Sequence, residues 1–161
     1  MEKHGPVLSL RLLDWPPVWT AGTVLLAWLA AQVLPWPVLG PMGRGLGAAL
    51  VLAGLAAMAA AACEMRRART TVIPRRQPSA LVTTGIFAFS RNPIYLGDLS
   101  VAAGAMLWLQ VPWGLPLVGL LARVLRLRFI EAEEQRLMTG FGAEYGLWAA
   151  RTARWLGRKA G

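Results

Sequence analysis

The sequence predicts an all-α membrane protein: a polytopic bundle of about four transmembrane helices plus a C-terminal amphipathic helix, in a single domain spanning residues 1–161. Three observations carry that expectation. Hydrophobic residues make up 56% of the chain and charged residues only 16%, against about 25% in soluble domains. Four apolar runs are set apart by Pro, Gly and Arg. Trp15, Trp19, Trp36, Trp108 and Trp113 lie near the ends of those runs, where an amphipathic ring meets the headgroup layer.

A helix needs about 20 mostly apolar residues to cross the hydrocarbon core. The first run, PVWTAGTVLLAWLAAQVL, covers residues 17–34; Pro16 and Pro17 suit its first turn and Pro35-Trp36-Pro37 ends it. The second, LGAALVLAGLAAMAAAAC, covers residues 46–63, and its Ala and Gly content lets a neighbouring helix approach closely. Together these make an N-terminal spanning part, residues 17–63, and its lone Cys63 reads as a buried, inert thiol. The third run starts at Pro93 and ends near Leu109. The fourth starts near Pro112 and is free of charge only as far as Ala122, so it spans only if Arg123 and Arg126 face protein or snorkel to the interface.

The net charge is +9, but the basic residues fall in the gaps between apolar runs, which suits anionic lipid headgroups and not nucleic acid. Arg66, Arg67, Arg69, Arg75, Arg76 and Arg91 lie between runs two and three; Arg123, Arg126, Arg128, Arg136, Arg151, Arg154, Arg158 and Lys159 follow run four. The other two connections hold Arg44 alone or no charge, so the positive-inside rule makes the basic loop and the C-terminus cytoplasmic. An even number of spans puts the N-terminus, with Lys3 and Arg11, on the same side, in the inner membrane if the chain is bacterial. The apolar stretch after Asp14-Trp15-Pro16-Pro17 has no clear cleavage site, so it does not read as a removable signal peptide.

Ionisable residues beside apolar runs are the functional candidates in such a protein, and they gather in two clusters on the basic side. The first is LVTTGIFAFSRNPIYLGD, residues 81–98. Pro93 holds Asn92 extended and starts the third helix, so Arg91 and Asn92 sit at a helix N-terminus, where N–H groups and the dipole favour an anion. Spacing alone equally allows a snorkelling Arg91, a capping Asn92 and an interfacial Tyr95. The second cluster, RFIEAEEQRLMTGFGAEY, carries Glu131, Glu133 and Glu134. At 100° per residue Arg123, Arg126, Ile130 and Glu133 share one face and Arg128, Glu131 and Glu134 another, which a solvated salt-bridged helix also explains. Gly140 and Gly142 then end the helix, and AEYGLWAARTARWLG forms an amphipathic tail at the membrane surface. The two clusters together suit a ligand with a carboxylate, a cationic centre and an aromatic base, as S-adenosylmethionine has; Phe87, Phe89 and Tyr95 offer faces to its sulfonium.

The same residues resemble the integral-membrane methyltransferases that include isoprenylcysteine carboxyl methyltransferases and phospholipid N-methyltransferases. That family carries a GxYxxxRHPxYxG stretch, a hydrophobic hairpin, Glu-Glu, and then FGxEYxxY. This chain reads LVTTGIFAFSRNPIYLG, a hairpin and EEQRLMTGFGAEYGLW, a match over roughly residues 70–155 that defines a catalytic part. The resemblance implies S-adenosylmethionine as cofactor and catalytic positions at Arg91, Asn92, Tyr95 and Glu133. It implies cofactor contacts at Leu81, Val82, Phe87, Asn92, Pro93, Tyr95 and Glu133, with Gly85, Gly97 and Glu134 in the same motif in binding or structural roles. In the prenylcysteine enzymes an Arg one turn before the Glu holds substrate; here that position is Phe129 beside Arg128. Asp98, one turn deeper than the motif, either lines the substrate side or pairs with an Arg.

Asn92 stands where the family has His and Phe87 where it has Tyr, so neither transfers a proton. The only histidine, His4, lies in the N-terminal tail, which leans the expectation toward a self-activated nucleophile. The expected activity is methyl transfer to a lipophilic acceptor: a prenylcysteine-like carboxylate, a phospholipid, or another small lipid or thiol. Membrane lipids are the expected partners and no metal is expected. Two other readings stand beside it: an NADPH-dependent membrane reductase of related architecture, and a non-enzymatic membrane scaffold.

Overall fold

A computed structural model describes residues 15–34, 36–71, 73 and 78–157. Lys3, His4, Arg11, Asp14, Pro35, Arg75, Arg76, Arg158 and Lys159, which entered the topology above, lie outside the described residues. The regular structure of the described residues is helical: α1 (Pro16–Val33), α2 (Gly40–Arg67), α3 (Pro93–Trp108), α4 (Leu115–Leu125) and α5 (Glu131–Arg151). Proline stands at the first or second position of α1, α2, α3 and α4, where a missing N–H costs nothing. The starts predicted at about Pro17 and at Pro93 follow from that local chemistry, the first lying one residue earlier at Pro16. Helix α2 outruns its apolar core at both ends, from Gly40 to Arg67.

Antiparallel packing of α2 on α3 is the spine of the molecule. Gly47 faces Gly104, where an added Cβ would lie 2.6 Å from the Gly104 carbonyl oxygen; Gly54 faces Gly97 in the same way at 2.7 Å. Two glycines seven residues apart on each helix fall on one stripe, so the backbones touch along two turns. Ala61 continues the α2 stripe and is fully buried. Cys63, two residues on, points away from α3 and is exposed, which corrects the expectation of a buried thiol. One helical face of α2 is packed and the others are not.

That asymmetry extends over the surface. Leu46, Leu50, Leu52 and Leu55 on α2 and Leu25, Leu26, Trp28 and Leu29 on α1 are all exposed. Among the described residues one helical segment, residues 37–67, is long and apolar enough to cross a membrane by length and composition, and only 17% of its most apolar window is buried. A soluble core helix would be mostly covered; this one presents leucine outward.

Helix α4 passes without a break into a π-helical turn, Arg126–Ile130, before α5. The extra residue in that turn advances the register, so the face assignment made at 100° per residue fails here. Ile130 is fully buried while Arg126 is exposed and pairs with Glu131. Phe129 and Ile130 join Tyr95, Ala102, Leu121 and Leu125 in the central apolar cluster. Gly142 kinks α5 at φ 48°, close to where the helix was predicted to end. The segment after it does not lie free on a surface: Tyr145 and Trp148 are buried against Phe87 and Ala61. The chain then runs back over residues 89–92, with the Arg91 N–H donating to the Ala153 carbonyl (3.0 Å) and the Gly157 N–H to the Phe89 carbonyl (2.8 Å).

Candidate active site

The start of α3, the start of α5 and the C-terminal segment meet at one end of the bundle around a cavity of about 270 Å³. Phe87, Arg91, Asn92, Pro93, Tyr95, Asp98, Glu133 and Glu134 line it, so most of the residues singled out in the two sequence clusters converge. A π turn between α4 and α5 sets the rotation at which the two glutamates leave their helix.

Tyr95 donates its hydroxyl proton to Glu133 Oε1 at 2.8 Å, and its ring stacks on Phe129 with centroids 6.3 Å apart. Glu134 is gripped from two sides. Arg154 meets it with two hydrogen bonds, Nε to Oε1 at 3.0 Å and NH2 to Oε2 at 2.6 Å, and Arg91 NH2 lies 3.3 Å from Oε1. Such a fork fixes geometry as well as charge. The Arg91 side chain is 11% exposed and that of Glu134 14%, so this is a protein-lined ion cluster and not a lysine-like snorkel to the headgroups. Arg91 NH1 also donates to the Tyr145 hydroxyl at 3.0 Å. Burial, and then the nearby Glu134 charge, raise the Tyr145 phenol above its ordinary value, so it accepts that bond as a neutral group. Arg154's own hydrogen bonds to Glu134 raise its guanidinium above the ordinary value, keeping the clamp charged.

Asn92 is buried and makes no capping bond; its Nδ2 donates to the Arg154 carbonyl at 3.1 Å, while its N–H donates to Ser90 Oγ at 3.1 Å. It ties the C-terminal segment to the start of α3, a task an amide performs and a charged imidazole would not need to. The bland reading of Arg91, Asn92 and Tyr95 as snorkel, cap and anchor therefore gives way to three interior contacts.

Leu81, Val82, Gly85, Gly97, Arg128 and Phe129 stand around the cavity without lining it. Leu81 and Val82 pack on the Phe87, Tyr145 and Trp148 cluster. Gly85, at φ 57°, leaves room for the Glu64 carboxyl, which an added Cβ would approach to 2.8 Å. Gly97 lies on the far face of α3 against Gly54 and Met58. Arg128 is exposed, with its guanidinium 5.3 Å from the centroid of a Trp19 ring. Phe129 is buried behind Tyr95. Asp98 does not pair with an arginine: it is buried on α3 and accepts a 2.9 Å hydrogen bond from Thr20 of α1.

Sequence reasoning passed over Thr20, Arg136, Tyr145, Trp148 and Arg154. Trp148 Nε1 donates to the Phe87 carbonyl at 3.1 Å and holds the loop before α3. Thr20 carried one signal, a hydroxyl within an apolar run, and Tyr145 and Trp148 another, their places in the FGAEYGLW stretch that resembles the family's FGxEYxxY. Arg136 and Arg154 are ordinary basic residues until the fold brings them in.

Two buried donors on this cavity have no partner among the described residues: Arg91 Nε and Arg136 NH1. Unmet guanidinium N–H groups fit an anionic group such as a carboxylate, while Tyr95 and Phe87 present aromatic surface and Glu133 a negative charge. No group of His, Cys, Asp and Glu among the described residues is arranged to hold a metal ion.

A family model described as phospholipid methyltransferase matches residues 42–144, which take in α2, α3, α4 and α5 as far as its kink. Neither a curated protein nor a solved structure matches the chain. Nothing in these comparisons points to the reductase. The matched span holds Phe87, Arg91, Asn92, Pro93, Tyr95, Asp98, Glu133 and Glu134 and exceeds half of the sequence, so the chain belongs to the phospholipid methyltransferase family, and that membership implies a membrane methyltransferase.

Proposed function

We propose that the protein is an S-adenosylmethionine-dependent methyltransferase that works within the membrane on a lipophilic acceptor. In this reading α1 to α4 are embedded, and the cavity faces the cytoplasm together with both termini. The observation that carries the reading is the pair of unmet donors, Arg91 Nε and Arg136 NH1, on a cavity that also presents Tyr95 hydrogen-bonded to Glu133. The cofactor's carboxylate suits those donors, and its sulfonium suits the Glu133 side. When bound it supplies a methyl group already activated for displacement. The residues' own work is then to align the two reactants and to keep water away. The clamp of Arg91, Glu134 and Arg154 holds the start of α3 against the C-terminal segment, and Trp148 closes the loop behind Phe87.

The test is titration calorimetry of the protein in detergent with S-adenosylmethionine and with its demethylated product. Saturable binding of both is expected, weakened about tenfold or more in Glu133→Ala, which removes a carboxylate and strands the Tyr95 hydroxyl. No binding of either compound by the unaltered protein overturns the proposal.

A further inference from the structure

Asp98 is the buried carboxylate of the site that is satisfied only in part. It is 2% exposed, Thr20 donates to its Oδ1, and its Oδ2 is buried with no hydrogen-bond partner among the described residues. An unmet buried carboxyl oxygen is costly, and a catalytic role or a bound group is among the reasons a fold keeps one. Its position is unusual in a second way. Asp98 and Pro17 line the cavity just described and also a second, larger hollow of about 710 Å³ between α1 and α3. That hollow is walled by Val24, Leu25, Trp28, Val101, Ala105 and Trp108, and Thr20 and Asp98 are its only hydroxyl or carboxyl side chains. From Asp98 to Trp108 it follows α3 for roughly 15 Å at the helical rise, about half the thickness of a bilayer's hydrocarbon core. An apolar trough of one-leaflet length thus ends on a buried carboxyl that belongs equally to the polar cavity.

We infer that Asp98 recognises the methyl acceptor: an acyl chain lies in the trough between α1 and α3, and an N–H of the acceptor's amine head donates to Asp98 Oδ2. This deepens the proposed function and rests on it. Carboxylate and thiolate acceptors would bring a like charge to Asp98, with Glu133 on the same cavity, whereas an amine brings the missing donor. The self-activated nucleophile expected from the lack of a core histidine is therefore displaced, because Asp98 takes the place of a base. In the transfer the amine nitrogen's lone pair forms the new N–CH3 bond as the S–CH3 bond breaks with its electrons kept by sulfur. The proton that the nitrogen thereby sheds passes to Asp98 Oδ2. Thr20 holds the other oxygen and so sets the angle of the carboxyl; it is a positioning residue.

The experiment uses the full chain in mixed micelles with dioleoylphosphatidylethanolamine, oleate or dodecanethiol as acceptor and free ethanolamine as a soluble control. Three variants or probes are read: Asp98→Asn, which keeps the Thr20 bond but turns a donor toward the head; Ala105→Trp, which fills the trough; and an aminolipid with a photoreactive group in its acyl chain. The expected results are methylation of the aminolipid in preference to the other three, and a fall of at least about tenfold in kcat/KM for Asp98→Asn with cofactor affinity within about twofold of the unaltered protein. The photoreactive chain is expected to label α1 and α3, and Ala105→Trp to abolish the labelling. Failure of the unaltered protein to bind cofactor overturns the proposed function, and this inference with it. Cofactor binding with preference for oleate or dodecanethiol overturns the inference alone, as does an Asp98→Asn variant that works like the unaltered protein or labelling that avoids both helices.

Discussion

The cavity is bounded at one end by Glu134, a carboxylate held by two arginines, and at the other by Asp98, a carboxylate whose described partner is a single hydroxyl. The two sit on neighbouring helices of one small protein and are both largely buried, yet they are built in opposite ways. At the Glu134 end both carboxylate oxygens are answered within the chain, and the result joins three separated segments: the start of α3, the start of α5 and the tail at Arg154. At the Asp98 end one oxygen is left open and the surroundings are apolar. A carboxylate satisfied on both oxygens by the protein serves the architecture; a buried carboxyl satisfied only in part is set for something brought to it.

If the comparison holds, the two ends respond differently to the loss of charge. The largest effect is expected from Glu134→Ala. It leaves Arg91 and Arg154 facing each other without a counter-charge and is expected to cost about 3 kcal/mol, the lower part of the range for breaking a buried pair because Arg154 keeps some contact with solvent. Thermal unfolding in detergent measures it, and an unchanged midpoint would show that the clamp is not structural. A smaller loss, about 1.5 kcal/mol, is expected from Thr20→Val, which keeps the shape but leaves both Asp98 oxygens unmet. The smallest is Asp98→Asn, expected to change stability by less than about 0.5 kcal/mol because Thr20 still finds an acceptor and one unmet polar group, the amide NH2, takes the place of another. A large destabilisation by Asp98→Asn would erase the contrast between the ends and make Asp98 another structural pair.

The legible parts of this protein are those whose cause is local. Pro16 and Pro93 start helices because of their own missing N–H, and Gly142 breaks α5 through its own backbone freedom. The Arg91-to-Asp98 stretch and the Glu133-Glu134 pair were readable because both lie beside apolar segments where charge is costly. Most of their residues do line one cavity. What went astray depended on neighbours. Cys63 looked buried because its run is apolar, but burial is decided by which face of α2 meets α3. The faces of the RFIEAEE segment were drawn on a regular helix, and one π turn rotated them.

By itself, then, the sequence determined an apolar helical chain with a charged site at its basic end, because composition, proline placement and the cost of charge near apolar runs act over a few residues. Only the tertiary structure decided that Arg154, 20 residues beyond Glu134, completes the clamp, and that Thr20, 78 residues before Asp98, holds one of its oxygens. Those partners are set by the close packing of α2 on α3 through facing glycines and by the fold-back of the tail over residues 89–92, and neither distance in space is written in any local pattern.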